Sequence, residues 1–251
     1  MMKLYWSPRT RSFTALWLME EAGAPYERVL IDIATGAQKQ PDYLKINPMG
    51  KVPALTDGEA AVAESAAICA YVAERVPQAK LAPPPGDPRR AKYLQWMFFG
   101  GNCIEPAIIQ IFTKMDVPTS SAGWGSATQV FDVLDQAVAQ GPWILGDEFS
   151  AADIVIGSGL NFAIRNFRMA PTRPNFDRYL DLCVARPAFQ RALKHGTIVI
   201  RAVEDMPEPD MRPEIAYAIY RRDPVFMLGQ ATGLFIYARN LWLIRDEKRA
   251  A

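Results

Sequence analysis

Four residues in the first third of the chain could together bind a small peptide: Val52, Pro53, Glu64 and Ser65. A proline disfavours the helical region for the residue before it, so Val52 is expected to be extended. Pro53 has no N–H group, which favours a sheet edge or a turn for this pair. The N–H and C=O of Val52 would then be free to pair with a peptide ligand, as an added strand does.

Glu64 and Ser65 precede an apolar run at helical spacing, with Ile68, Val72 and Val76. The free N–H groups at a helix start favour a ligand carboxylate. The carboxylate of Glu64 would favour a ligand ammonium group. The two motifs together predict a site for a peptide that carries both charges.

The segment from Asn47 to Ile68 resembles the glutathione S-transferase family, because both motifs occur in order at the spacing of that family. The resemblance covers roughly residues 2 to 195, and it includes three further stretches of the chain: Leu4-Tyr5-Trp6-Ser7-Pro8, Trp143-Ile144-Leu145-Gly146 and Ser150-Ala151-Ala152-Asp153-Ile154. It implies a thioredoxin-like α/β N-terminal domain followed by an all-α helical-bundle domain. It also implies glutathione as co-substrate and no metal.

The resemblance assigns glutathione contacts to seven residues. The residue before a cis proline binds the cysteinyl backbone, which here means Val52 and Pro53, and Glu64 with Ser65 holds the γ-glutamyl end. The basic pair that holds the glycine carboxylate falls on Gln38 and Lys39, and the polar residue before Val52 is Lys51. Gln38 stands where one class of the family commonly has a histidine. For Lys39 and Lys51 the alternative is that they are solvated lysines on the surface.

The turn from Ser7 to Ser12 would have to stabilise the glutathione thiolate, because a free thiol has a pKa of about 8.5. The family uses a serine, a cysteine or a strand tyrosine here, and this chain has Thr10, Arg11 and Trp6 at those positions. Thr10 is therefore the first candidate for the thiolate donor, with Ser12 second and Arg11 as electrostatic support. The alternative is that Thr10 only caps the first helix.

The length and composition predict a globular protein of two domains. Its nearly neutral net charge does not favour binding to nucleic acid. Half of the 251 residues are hydrophobic, 22% are charged, and the net charge is +1. The three cysteines are widely spaced and form neither a metal pattern nor a disulfide framework. No signal peptide is visible, so a cytoplasmic location is expected.

The predicted order of elements is strand, helix, strand, short helix, hairpin and helix over residues 1–80, the thioredoxin-like glutathione-binding domain. A proline-rich linker precedes residues 88–195, the all-helical substrate and dimer domain. The capping pattern of Ser150 and Asp153 is expected to be structural. From the family alignment, four residues of this domain are candidates for the acceptor cleft: Phe98, Asn102, Glu105 and Arg165. A buried salt bridge is the alternative for Arg165.

Residues 196–251 form a C-terminal extension that the resemblance does not cover. The apolar stretch from Val225 to Ile244 approaches the length of a membrane span, but it contains Gln230, Arg239 and Asn240. A helix packed on the bundle, or a lid over the cleft, is therefore favoured over a membrane span.

The main hypothesis is a cytoplasmic, homodimeric glutathione transferase that activates the thiol for attack on a hydrophobic electrophile. The alternatives are a non-catalytic binding or scaffold protein of the same fold, and a glutathione-dependent isomerase or dehalogenase. The acceptor substrate is not specified by any pattern in the sequence.

Overall fold

The computed structural model describes the backbone of residues 1–204 and the side chains of residues 1–195. One compact unit spans Met1–Thr197. The domain boundaries given above stay predictions, and the stretch from Val225 to Ile244 lies outside the described residues.

Within residues 1–204, four strands form one mixed sheet in the order β2-β1-β3-β4. β2 is parallel to β1, whereas β3 is antiparallel to both β1 and β4. Leu4 lies opposite Leu55 at the centre of this sheet, and both side chains are fully buried. The strands are Met2–Trp6 (β1), Tyr26–Leu30 (β2), Ala54–Asp57 (β3) and Ala60–Ala63 (β4).

Three helices accompany the sheet, and α1 packs against α3. α1 ends where Gly23 adopts a left-handed conformation and donates its N–H to the carbonyl of Met19. The order of strands and helices is the predicted thioredoxin-like layer. The helices are Phe13–Ala22 (α1), Pro41–Leu44 (α2) and Ser65–Arg75 (α3).

From residue 89 to residue 204 the described chain contains helices and no strand, which confirms the predicted all-α part. A boundary between two helices falls at Pro187, because the residue before a proline is driven out of the helical region. The helices are Arg89–Phe99 (α4), Glu105–Thr113 (α5), Ala127–Ala139 (α6), Ala151–Leu160 (α7), Pro174–Ala185 (α8) and Pro187–Glu204 (α9). Two π-helical segments, Gly100–Ile104 and Asn161–Asn166, follow α4 and α7.

α7 is the central helix of this bundle, since every residue from Ala151 to Leu160 is buried. The predicted capping box is present at its start: the Ser150 hydroxyl accepts from the N–H of Ala152, and the Asp153 carboxylate accepts from the N–H of Ser150 at 2.9 Å. Asp153 also accepts from the N–H of Ile144 at 2.7 Å and from the hydroxyl of Tyr179 at 2.9 Å. Burial outweighs these hydrogen bonds and raises the pKa of Asp153 to about 6.

Gly100 allows a close approach between helices of the same chain. A Cβ at this position would overlap Cγ1 of Val155 on α7, whereas a Cβ at Gly101 would meet nothing within 4 Å. Of the Gly100–Gly101 pair, only Gly100 is therefore in close contact with α7.

Candidate active site

The chain just before β3 presents an unpaired stretch of backbone at Val52. The Val52–Pro53 peptide bond is cis. In the described part of the chain, neither the N–H nor the C=O of Val52 has a hydrogen-bonding partner. The preceding carbonyl, that of Lys51, accepts from the hydroxyl of Tyr43 at 2.5 Å and from Nδ2 of Asn47 at 2.8 Å. These two donors hold the loop so that the backbone of Val52 stays available.

Glu64 and Ser65 lie near this stretch, because Ala54 pairs with Ala63 in the hairpin that joins them. α3 begins at Ser65, and no side chain caps its start. The first N–H groups of the helix are therefore free to bind an anion. Glu64 has a φ of 70°, a conformation that is unfavourable for a residue with a Cβ and that concentrates at functional sites.

Two lysines and one amide side chain lie on the other flank of the same loop. Nζ of Lys39 donates to the carbonyl of Met49 at 3.0 Å. Burial, and secondarily the charge of Lys39, lowers the pKa of Lys51. Oε1 of Gln38 is buried without a hydrogen-bonding partner. An anionic group with an adjacent N–H would satisfy all three side chains at once.

The turn between β1 and α1 brings two hydroxyl groups together. Oγ1 of Thr10 lies 2.6 Å from Oγ of Ser12 and 2.7 Å from the carbonyl oxygen of Ser7. The residue preceding α1 is Ser12, and the one backbone N–H that donates to the Thr10 hydroxyl in the described residues is that of Ser12, at 3.2 Å. Thr10 therefore does not cap α1 by itself, and its hydroxyl belongs to the turn.

Arg11 connects this turn to the helical part of the chain. Its guanidinium forms an ion pair with Glu105, the first residue of α5. It also lies over the ring of Phe162, at 4.1 Å from the centroid. Burial lowers the pKa of Arg11 to about 10, so the side chain remains cationic at neutral pH.

The four residues expected at the acceptor cleft are found in different surroundings. Glu105 contacts Arg11 and is thus next to the turn. Phe98 and Asn102 are exposed on α4 and on the π-helical segment that follows it. Arg165 forms an ion pair with Asp181 at 2.6 Å and donates to the carbonyl of Asp177, but this pair is exposed and not the buried salt bridge that was its alternative.

The sequence did not point to Tyr43, Asn47 or Phe162 as parts of the site. Tyr43 lies in a polar connection whose pattern shows only a short helical piece. Phe162 lies on the same helical stretch as Arg165, and its contact with Arg11 depends on packing between distant segments. For Asn47, the one available signal was its place at the start of the Asn-Pro-Met-Gly motif.

In the described residues, no group of acidic, histidine or cysteine side chains is arranged to hold a metal ion. None of the helices found there combines the length and the hydropathy that a membrane crossing requires.

Comparison with known proteins places the N-terminal part in a described family. Residues 1–74 match the family model of the glutathione S-transferase N-terminal domain. Residues 214–242, beyond the described part, match the model of the Lipid A Biosynthesis N-terminal domain. The second match falls in the extension that the resemblance did not explain.

Relatives extend the comparison over most of the chain. Glutathione S-transferase 3 of Zea mays is 30% identical over 209 residues, which cover 76% of this chain and 93% of that protein. Disulfide-bond oxidoreductase YfcG of Escherichia coli (strain K12) is 27% identical over 206 residues, or 77% and 94% of the two chains. A solved glutathione S-transferase from a sphingomonad, in complex with glutathione, is 29% identical with a TM-score of 0.66, over 78% of this chain and 99% of the other. The chain therefore belongs to the glutathione S-transferase family.

Proposed function

We propose that this chain is a glutathione transferase that stabilises the glutathione thiolate and directs it at a hydrophobic electrophile. The observation that carries the proposal is the unpaired backbone of Val52, flanked by the uncapped start of α3 and by two lysines. A tripeptide with one ammonium and two carboxylate groups is complementary to this arrangement.

Each end of glutathione has a matching group. The cysteinyl N–H and C=O pair with the backbone of Val52, as an added strand would. The γ-glutamyl carboxylate accepts from the hydroxyl of Ser65 and the free N–H groups at the start of α3, and Glu64 binds the ammonium group. Lys39 and Lys51 bind the glycine carboxylate, which also relieves their mutual repulsion.

The chemical task is to ionise the thiol at neutral pH. Lowering its pKa by two units from about 8.5 takes roughly 2.7 kcal/mol of preferential thiolate stabilisation. The Thr10 hydroxyl supplies a direct hydrogen bond, and the cation of Arg11 supplies an attractive field in a partly buried site. The thiol proton goes to water, and the bound thiolate then attacks an electrophile held in the right orientation.

The acceptor cleft is proposed to be apolar. Phe98 exposes 64% of its surface, and the ring of Phe162 already forms one wall beside Arg11. Asn102 and Glu105 would supply polar contacts at this cleft, whereas Arg165 is engaged with Asp181. A cytoplasmic homodimer with a detoxifying role is the physiological form that we propose.

A second candidate is glutathione-dependent disulfide reduction, which the relative named as a disulfide-bond oxidoreductase favours. The turn from Ser7 to Ser12 contains no cysteine, so the enzyme itself would not form the mixed disulfide. One glutathione thiolate would attack the substrate disulfide, and a second would release the reduced substrate with oxidised glutathione.

Binding and turnover together test these proposals. The full chain is passed over immobilised glutathione, and the eluted protein is assayed with aryl halides, unsaturated carbonyl compounds and small disulfides. Retention with loss of free thiol and formation of a thioether supports the transferase, and oxidised glutathione as the product supports the reductase. Turnover without net glutathione consumption would favour an isomerase, and retention without any turnover a scaffold protein. Failure to retain the protein contradicts the proposed function.

A further inference from the structure

In the turn from Ser7 to Ser12, the hydroxyl groups of Thr10 and Ser12 make three contacts but have only two protons between them. Oγ of Ser12 lies 2.8 Å from the Ser7 carbonyl oxygen, and Oγ1 of Thr10 lies 2.7 Å from the same oxygen. The two hydroxyl oxygens are themselves 2.6 Å apart. Each hydroxyl has one proton, so at any moment one of these three contacts has no proton between its oxygens.

Backbone N–H groups hold both hydroxyl oxygens in place, whichever of the three contacts lacks a proton. The N–H of Ser7 donates to Oγ of Ser12 at 3.0 Å, and the N–H of Ser12 donates to Oγ1 of Thr10 at 3.2 Å. The protons can therefore be redistributed by rotation of the O–H bonds, with no movement of carbon, nitrogen or oxygen atoms.

Burial decides which hydroxyl can contact a ligand. Ser12 has no exposed surface, whereas Thr10 exposes 9% of its own. A ligand sulfur at this turn would thus contact Thr10 and not Ser12. If Thr10 turned its proton to the sulfur, the Ser7 carbonyl would lose a donor and would stay unpaired in a buried place unless Ser12 supplied one.

We infer that Ser12 is a positioning residue that frees the Thr10 proton for the thiolate. The Ser12 hydroxyl donates to the Ser7 carbonyl, so the Thr10 hydroxyl can donate to the sulfur of glutathione without leaving that carbonyl unpaired. The N–H of Ser12 polarises Thr10 further by donating to its oxygen. This inference rests on the proposed function, since it assumes a bound thiolate.

A double-mutant cycle tests it in the full chain. The pKa of bound glutathione is measured from the ultraviolet absorption of the thiolate as a function of pH, for wild type, Ser12→Ala, Thr10→Val and the double variant. Ser12→Ala is expected to raise this pKa by about one unit. At pH values well below the pKa, that shift lowers the fraction of bound glutathione present as thiolate about tenfold. Because Ser12 acts through Thr10, the same change in the Thr10→Val background is expected to have no further effect.

Ser158→Ala is the matched control, because this serine is also buried and its hydroxyl has no partner within the described residues. It is expected to leave the thiol pKa unchanged. If Ser12→Ala does not fold, Ser12→Cys keeps the shape with a much weaker donor, and the pH profile of kcat/KM replaces the absorption measurement.

The inference is overturned if Ser12→Ala leaves the bound thiol pKa unchanged, or shifts it equally with and without Thr10. Both results would leave the proposed function standing, since glutathione would still bind and ionise. If wild type binds no glutathione, the proposed function fails, and the inference fails with it.

Discussion

The guanidinium of Arg11 lies 4.1 Å from the centroid of the Phe162 ring and forms an ion pair with Glu105. Glu105 directly follows one π-helical segment, and Phe162 lies in the other. Such segments are rare and occur frequently at functional sites. The segment Asn161–Asn166 supplies one partner of the cation that is adjacent in sequence to Thr10, and the segment Gly100–Ile104 leads directly into the other.

Arg11→Met is expected to reduce both stability and thiol ionisation. The variant loses a cation–π contact and leaves the half-exposed Glu105 unpaired, which should lower the free energy of unfolding by about 1–2 kcal/mol. The pKa of bound glutathione should rise at the same time, because a nearby positive charge is removed. Denaturant unfolding and the thiolate absorption measure the two effects.

Arg165→Met is the control for this prediction. Arg165 pairs with Asp181, which exposes 74% of its side chain, so its loss should change stability by less than about 1 kcal/mol. Equal effects of the two substitutions, on stability and on the thiol pKa, would contradict a special role for Arg11.

Tyr43→Phe is expected to weaken glutathione binding about fivefold. It removes one of the two donors to the Lys51 carbonyl, a loss worth about 1 kcal/mol, and lets the loop that presents Val52 move. Calorimetric titration with glutathione measures the change. Tyr71→Phe, which removes a hydrogen bond to Asp57 away from this loop, should leave the affinity unchanged.

Gly50→Ala is expected to displace Lys39. A Cβ at Gly50 would lie 2.8 Å from the carbonyl oxygen of Gln38 and 2.8 Å from Nζ of Lys39. Gly58 has a similar φ of +62° but open space around it, so Gly58→Ala isolates the backbone penalty of about 1–2 kcal/mol. Only Gly50→Ala should lower glutathione affinity; a comparable loss in Gly58→Ala would rule out the steric explanation.

Gly100→Ala and Gly101→Ala should shift stability in opposite directions. The first forces a methyl group into Val155 and should destabilise the protein by about 1–3 kcal/mol. The second meets open space and should stabilise it by up to about 1 kcal/mol, because alanine has the higher helix propensity. Thermal unfolding of the two variants side by side is sufficient, and a stabilising Gly100→Ala would disprove the close contact with α7.

The titration of Asp153 should make the effect of Asp153→Asn depend on pH. Burial raises the pKa of Asp153 in the folded state to about 6, above its value of about 3.9 in the unfolded chain. Between these values the folded state binds the extra proton, so the stability that this carboxyl contributes falls as the pH rises. The difference in free energy of unfolding between wild type and Asp153→Asn, in favour of wild type, should shrink by roughly 2 kcal/mol between pH 4 and pH 7. An advantage that grows with pH would mean that the hydrogen bonds outweigh burial.

Local patterns in the sequence were sufficient for much of the fold. The capping box of Ser150 and Asp153 depends on groups within one helical turn, so its spacing alone predicted it. The sequence also indicated the unpaired backbone of Val52, because the proline after it restricts its conformation regardless of the rest of the chain. Tyr93, Trp96 and Met97 recur at helical spacing, and all three side chains are buried in α4.

Partners that are distant in sequence were decided only by the tertiary structure. The spacing of residues does not show that Arg11 meets Glu105 and Phe162, because that contact depends on how the turn after β1 packs against two helices. The same holds for the donors that hold the Lys51 carbonyl and for the contact of Gly100 with Val155. Backbone rules and helix periodicity act over a few residues, whereas the choice among many cationic, aromatic and small side chains is made when the whole core packs at once.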